Sequence, residues 1–124
     1  MTATTAQSAN TTHRPPRIDQ TWLDLHHEPI LEPAQAIIDP HHHLWARETQ
    51  NYLALECLAD FASGHRIIGS VFVECWSGYR TDGPEHLRPV GETAFVAGMA
   101  GSQKSGAYDC DFVGGIVGKS SSKC

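Results

Sequence analysis

The feature that most constrains the fold is an alternation of strand-like and helix-like segments along most of the chain. Three runs rich in β-branched residues predict strands, at 36–39, 67–74 and 112–118. Two intervening segments carry apolar residues at helical spacing and predict helices, at 51–63 and 89–104. Because parallel strands need a crossover connection, usually a helix, this order predicts βαβ units and an α/β fold.

Prolines and glycines predict where these elements end. Pro40 is expected to stop the first strand, because proline cannot donate to a central ladder. Gly64 follows the first helix at a position suited to a helix C-terminus. Pro89 is expected to start the second helix and Gly106 to end it, although the glycines inside that helix weaken its propensity.

Two segments precede the alternating part of the chain. Residues 1–17 are rich in Thr, Ala and Pro without an apolar face, which predicts a disordered tail. Residues 18–35 carry scattered apolar side chains, among them Trp22, Leu25 and Leu31, between helix-breaking prolines. We expect an irregular lead-in that packs on the domain.

Charge and cysteine content exclude several classes of protein. The formal net charge is −5 and no Lys/Arg cluster occurs, so neither nucleic acid nor an anionic membrane is an expected partner. No apolar run approaches the roughly 18 residues of a membrane span. The four cysteines form no CxxC pair, which favours free thiols over a disulfide framework. A soluble, cytoplasmic protein is expected.

The densest chemical signal is the run IDPHHHLW, at the end of the first predicted strand. In extended backbone, alternate side chains share a face, so Asp39, His41 and His43 would point one way and His42 the other. Neutral imidazoles at this spacing suit zinc, iron or nickel. The pattern predicts a metal pair at the carboxyl end of a parallel strand.

Spacing alone leaves alternatives open. An HxH pattern also arises by chance, and a triple histidine in a loop can be solvated. Catalytic zinc usually takes three protein ligands. His65 lies at the opposite end of the predicted sheet, and His86 lies on the correct side but in a polar loop, where a solvated role is expected.

Two residues are candidates for contact with a substrate. Glu74 ends the second predicted strand, on the same rim as the histidines, and could orient water or bind substrate. Arg80, the residue we select, or Arg88 lies in the following loop and could bind a substrate carboxylate with two parallel hydrogen bonds. The alternatives are a solvated carboxylate and a surface pair of Arg80 with Asp82 or Glu85.

Three segments carry a resemblance to a known family. IIDPHHHLW resembles the opening strand of the amidohydrolase-related (amidohydrolase-2) family of TIM-barrel, metal-dependent hydrolases. VFVECWSGYRTDGPEHLRPVGETAFVAGMA resembles the second strand and following helix of one branch, and FVGGIVG is similar to the third strand. The resemblance covers residues 30–118. The segments together indicate the family more specifically than any one of them does alone.

The resemblance implies the amino-terminal portion of a TIM barrel, about three βα units over residues 36–118. His41 and His43 match the HxH metal pair, and zinc is the first choice of divalent metal. Such a metal would lower the pKa of a bound water or polarise the carbonyl of a small-molecule substrate with a C–N, lactone or ester bond. The family's further histidines and its late aspartate have no counterpart here, so no catalytic residue is assigned.

Length adds a further expectation. A TIM barrel takes about 250 residues, whereas this chain has 124 and diverges over 119–124. We therefore expect a truncated hydrolase that is inactive alone and self-associates through open sheet edges. The alternatives are a non-enzymatic remnant or interaction piece, and a metal-independent lactonase, since some related lactonases work without a metal.

Overall fold

A computed structural model describes residues 19–47, 50–103 and 110–119. The predicted tail at 1–17, the predicted helix end at Gly106 and most of the segment 119–124 lie outside these ranges. No helix within them is long and apolar enough to cross a membrane. The elements in chain order are α1 (Gln20–Leu23), β1 (Ala36–His42), β2 (Trp45–Arg47), β3 (Gln50–Tyr52), α2 (Ala54–Phe61), β4 (Arg66–Val73), a short 3-10 helix (Glu85–Leu87), α3 (Val90–Gln103) and β5 (Asp111–Val117).

The main sheet has three strands in the order β1-β4-β5, and both pairings are parallel. Helix α2 connects β1 to β4 and helix α3 connects β4 to β5, which confirms the predicted α/β class. The carboxyl ends of all three strands therefore meet at one edge of the sheet. This edge carries His43, Glu74 and Gly118 just beyond the strands.

Strand β1 does not end at Pro40, contrary to the sequence expectation. It continues to His42, and its register against β4 shifts between Asp39 and His42. The reason is position: β1 is an edge strand, so the missing N–H of Pro40 removes no bond from a second neighbour. The irregularity places two of the three histidines beyond Pro40 inside the strand.

A short antiparallel hairpin of β2 and β3 follows β1, where no strand was predicted. The ring of Trp45 stacks on that of Tyr52 with centroids 5.1 Å apart, and the Arg47 guanidinium lies 5.3 Å above the Trp45 ring. The Tyr52 hydroxyl donates to Asp60 Oδ2 at 2.5 Å, which joins the hairpin to α2. Strands of three residues are too short to show alternation, so these two could not be predicted from the sequence.

The core lies between the sheet and the two long helices, which contact one another. Helix α2 contributes Cys57 and Leu58, and helix α3 contributes Val96. The sheet and its connections contribute Phe72 and Phe112, among others. The complete buried cluster consists of Leu44, Ala54, Cys57, Leu58, Phe72, Val96, Ala100, Phe112 and Val113.

The lead-in does not pack on the domain as expected. Trp22, Leu25 and Leu31 expose 68%, 75% and 86% of their surface, and the four-residue helix α1 buries none of its own residues. Ile30 is the exception, half-buried against Gly64. Apolar spacing in this segment therefore did not indicate burial.

The glycines of α3 differ sharply in their surroundings. A Cβ at Gly91 would lie 2.5 Å from the Gly78 carbonyl oxygen and 2.7 Å from the Arg80 nitrogen, whereas one at Gly98 would meet nothing within 4 Å. We expect Gly91→Ala to lower the free energy of unfolding by about 1–3 kcal/mol through overpacking. Gly98→Ala should raise it by about 0.5–1 kcal/mol, since alanine costs less entropy in a helix. Urea unfolding measures the free energy of unfolding of both variants. Equal changes in the two variants would contradict this difference in packing.

Candidate metal-binding site

The ring of His43 is oriented by a neighbouring strand. Its Nδ1 lies 2.8 Å from the carbonyl oxygen of Val73, the last residue of β4. A carbonyl only accepts, so Nδ1 carries a proton, and in the neutral ring it is Nε2 that keeps the lone pair. The ring is half-buried at the carboxyl edge of the sheet. This is the second contact that metal-binding histidines usually make with the protein.

His41 stands beside this ring. The two imidazole centroids are 5.0 Å apart and the ring planes are perpendicular, at 89°. The His41 side chain is exposed, and its backbone N–H donates to Asp39 Oδ1 at 3.0 Å, which fixes the turn of chain around Pro40. The structure therefore brings the predicted pair together at an accessible edge.

His42 points the other way, as alternation predicts, and is 7% exposed. Its Nε2 lies 3.1 Å from Ser70 Oγ, which also accepts the Val113 N–H at 3.0 Å. Its Nδ1 lies 3.8 Å from Cys57 Sγ, and its ring stacks on Phe112. Burial lowers the pKa of His42, so the ring stays neutral in the core.

The described ranges contain no group of three His, Cys, Asp or Glu side chains placed to hold a metal ion. His65 is exposed just before β4, at the opposite end of the sheet, and His86 is exposed in the 3-10 helix. Neither joins the pair. Within the described ranges, His41 and His43 therefore stand as a pair without a third ligand-type side chain placed beside them.

Glu74 lies one residue beyond the carbonyl that orients His43. Its N–H donates to the Val117 carbonyl at 2.9 Å, and its Oε2 accepts the Tyr79 hydroxyl at 3.3 Å. Desolvation and the neighbouring Glu74 carboxylate raise the pKa of Tyr79 to about 12. Tyr79 therefore stays protonated at neutral pH and donates to Glu74.

Arg80 lies in the loop between β4 and the 3-10 helix. Its N–H donates to the Arg88 carbonyl at 3.0 Å, and its side-chain stem lies against Gly91 at the start of α3. The guanidinium is exposed, and within the described chain it makes no ion pair with Asp82 or Glu85. The surface-pair alternative is therefore absent from this structure, and Arg80 is not brought against the histidines.

The contacts of two residues near this edge, Glu92 and Cys75, were not predicted from the sequence. Glu92, in the first turn of α3, is buried, and its Oε1 accepts the N–H groups of Cys75 and Ser77 at 2.9 and 2.8 Å. The Cys75 thiol donates to the Leu44 carbonyl at 3.4 Å. An acidic residue in a first helical turn is common for electrostatic reasons, so its position alone did not signal a contact with the loop.

Comparison of the chain with known protein families, with curated proteins and with solved structures gives no match. Function is therefore inferred from the geometry of the edge and from the resemblance of its motifs.

The opposite orientations of His41 and His42 can be tested through Cys57. The thiol is fully buried, and this burial raises its pKa to about 12, so at pH 9 about one thiol in a thousand is ionised. We expect Cys57 to resist iodoacetamide in the native protein at pH 9 and to react readily in urea. His42→Ala should speed the native reaction by opening space beside the thiol, and His41→Ala should leave it unchanged. Mass spectrometry of Cys57 peptides measures this; equal effects of the two variants would contradict the assignment.

Proposed function

We propose that this chain carries the metal-binding strand of a metal-dependent hydrolase of the amidohydrolase-related type, acting on the amide, lactone or ester bond of a small molecule. The observation that carries the proposal is the pairing of His43, oriented through Nδ1, with the accessible ring of His41. One imidazole is held in the tautomer that presents Nε2, and the centroid of the other ring lies 5.0 Å away. The resemblance of IIDPHHHLW to the family's opening strand supports the same conclusion.

The fold supports the proposal at a coarser level. Three parallel strands in sequential order, connected by helices, are what consecutive βα units of a TIM barrel would form. In such barrels the active site lies at the carboxyl ends of the strands, and the histidine pair lies at that end of β1. We therefore propose that 36–118 corresponds to three such units.

Each residue would have a defined task. His41 and His43 would hold the metal, which supplies Lewis acidity to polarise a carbonyl. Glu74, with Tyr79 as its hydrogen-bond donor, would accept a proton or hydrogen bond from substrate or water at the same edge. Arg80, with an exposed guanidinium, would reach a carboxylate at the far side of the substrate.

The cysteines favour a reducing setting for this activity. Cys57 is a buried free thiol and Cys75 a half-buried one. Unoxidised thiols are typical of cytoplasmic proteins, and a cytoplasmic location is part of the proposal.

Zinc binding tests the assignment directly. We expect the chain to bind one zinc ion at pH 7.5, and His41→Ala or His43→Ala to weaken binding by at least about tenfold, because each removes a ligand. His65→Ala and His86→Ala serve as matched controls, since both are exposed histidines away from the pair. Isothermal titration after chelator treatment gives affinity and stoichiometry.

Two results would contradict the proposal. Negligible zinc binding by the unmodified chain would remove the metal site. Equal weakening by the paired and control substitutions would show that zinc collects on surface histidines in general.

A further inference from the structure

An unusual backbone conformation lies directly after β4. Trp76 adopts a left-handed φ of 64°, which is disfavoured for a residue with a bulky side chain. The N–H groups on either side of it, from Cys75 and Ser77, converge on one oxygen of Glu92. Backbone N–H groups that converge in this way form a concave site for an anion, and here the anion is a side chain of the same protein.

The burial of Glu92 indicates that this contact has a cost. The residue is 2% exposed, and its second oxygen, Oε2, is buried with no hydrogen-bond partner within the described ranges. Burying a carboxylate with unmet acceptors is unfavourable. The two charge-assisted bonds at Oε1 and the amino end of α3 offset this cost.

The loop held by Glu92 connects to His43 by two routes. Cys75 follows Val73 by two residues, and the Val73 carbonyl is the group that orients the His43 ring. The thiol of the same Cys75 donates to the carbonyl of Leu44, the residue after His43. A shift of the Cys75 backbone would therefore move both the acceptor of the ring and the chain that carries it.

We propose that Glu92 is a positioning residue for the metal pair. By holding Cys75 and Ser77 on either side of the left-handed Trp76, it keeps the Val73 carbonyl where it selects the Nδ1-protonated form of His43. The effect on metal affinity rests on the proposed function, whereas the effect on the His43 ring does not.

The test separates the reach of the side chain from its charge. Glu92→Gln keeps an oxygen at the same reach, whereas Glu92→Asp keeps the charge but is one methylene too short, and Glu92→Leu has neither property. Glu56→Leu is the matched control, because Glu56 accepts the Leu53 N–H at 2.9 Å in the first turn of α2, away from the pair. For each variant, long-range proton–nitrogen NMR of the imidazoles gives the His43 tautomer without metal, and titration gives the zinc affinity.

We expect the Nδ1-protonated form of His43 to predominate in the unmodified chain, in Glu92→Gln and in Glu56→Leu, and to become mixed in Glu92→Asp and Glu92→Leu. Zinc affinity should fall about 10–100-fold in Glu92→Asp and Glu92→Leu, which is the usual loss when a group that orients a metal ligand is removed. It should fall by less than about threefold in Glu92→Gln and Glu56→Leu. Unchanged His42 signals show that the core is intact, and Glu92→Asp supplies the result if Glu92→Leu does not fold.

The outcomes distinguish the two proposals. An unchanged His43 tautomer in Glu92→Asp and Glu92→Leu would overturn the positioning role, whatever the metal data show. Failure of the unmodified chain to bind zinc, together with the expected tautomer changes, would overturn the proposed function and leave the positioning of His43 in place. The positioning role would also be overturned if Glu92→Gln lost as much of the Nδ1-protonated form of His43 as Glu92→Leu. The reach of the acceptor oxygen would then be irrelevant.

Discussion

The hydrogen bond from the His43 ring to the Val73 carbonyl joins the carboxyl ends of two neighbouring parallel strands. The acceptor is the carbonyl of the last residue of β4, and it determines the tautomer of the imidazole that follows β1. Around it, the Cys75 thiol and the Glu92 carboxylate fix the same stretch of chain from two directions. The geometry of the candidate metal pair thus depends on a junction of strands rather than on the HxH motif alone.

The three consecutive histidines lie in different environments because the backbone alternates. His42 enters the core, where Ser70 and Phe112 hold a neutral ring and where it anchors the end of β1. This anchor leaves His41 and His43 together on the accessible side. The buried histidine therefore anchors the end of the strand that carries the outer pair.

Much of the fold could be predicted because it depends on local periodicity. The parallel order and the extent of α3 follow from apolar spacing, and the paired orientation of His41 and His43 follows from strand alternation. The β2–β3 hairpin could not be predicted, since its two strands are held by ring stacking and a bond to α2. Glu92 was missed for the same reason: its role depends on a loop that only the tertiary fold brings to the start of α3.

Anomalous X-ray scattering at the zinc edge, from crystals of the chain with one equivalent of zinc at pH 7.5, tests the central claim most directly. The account predicts one dominant peak about 2.0–2.1 Å from Nε2 of His43 and from a ring nitrogen of His41. The Nδ1 of His43 should remain on the Val73 carbonyl. A peak on other histidines, or a His43 ring rotated away from Val73 in the zinc-loaded crystal, would contradict it.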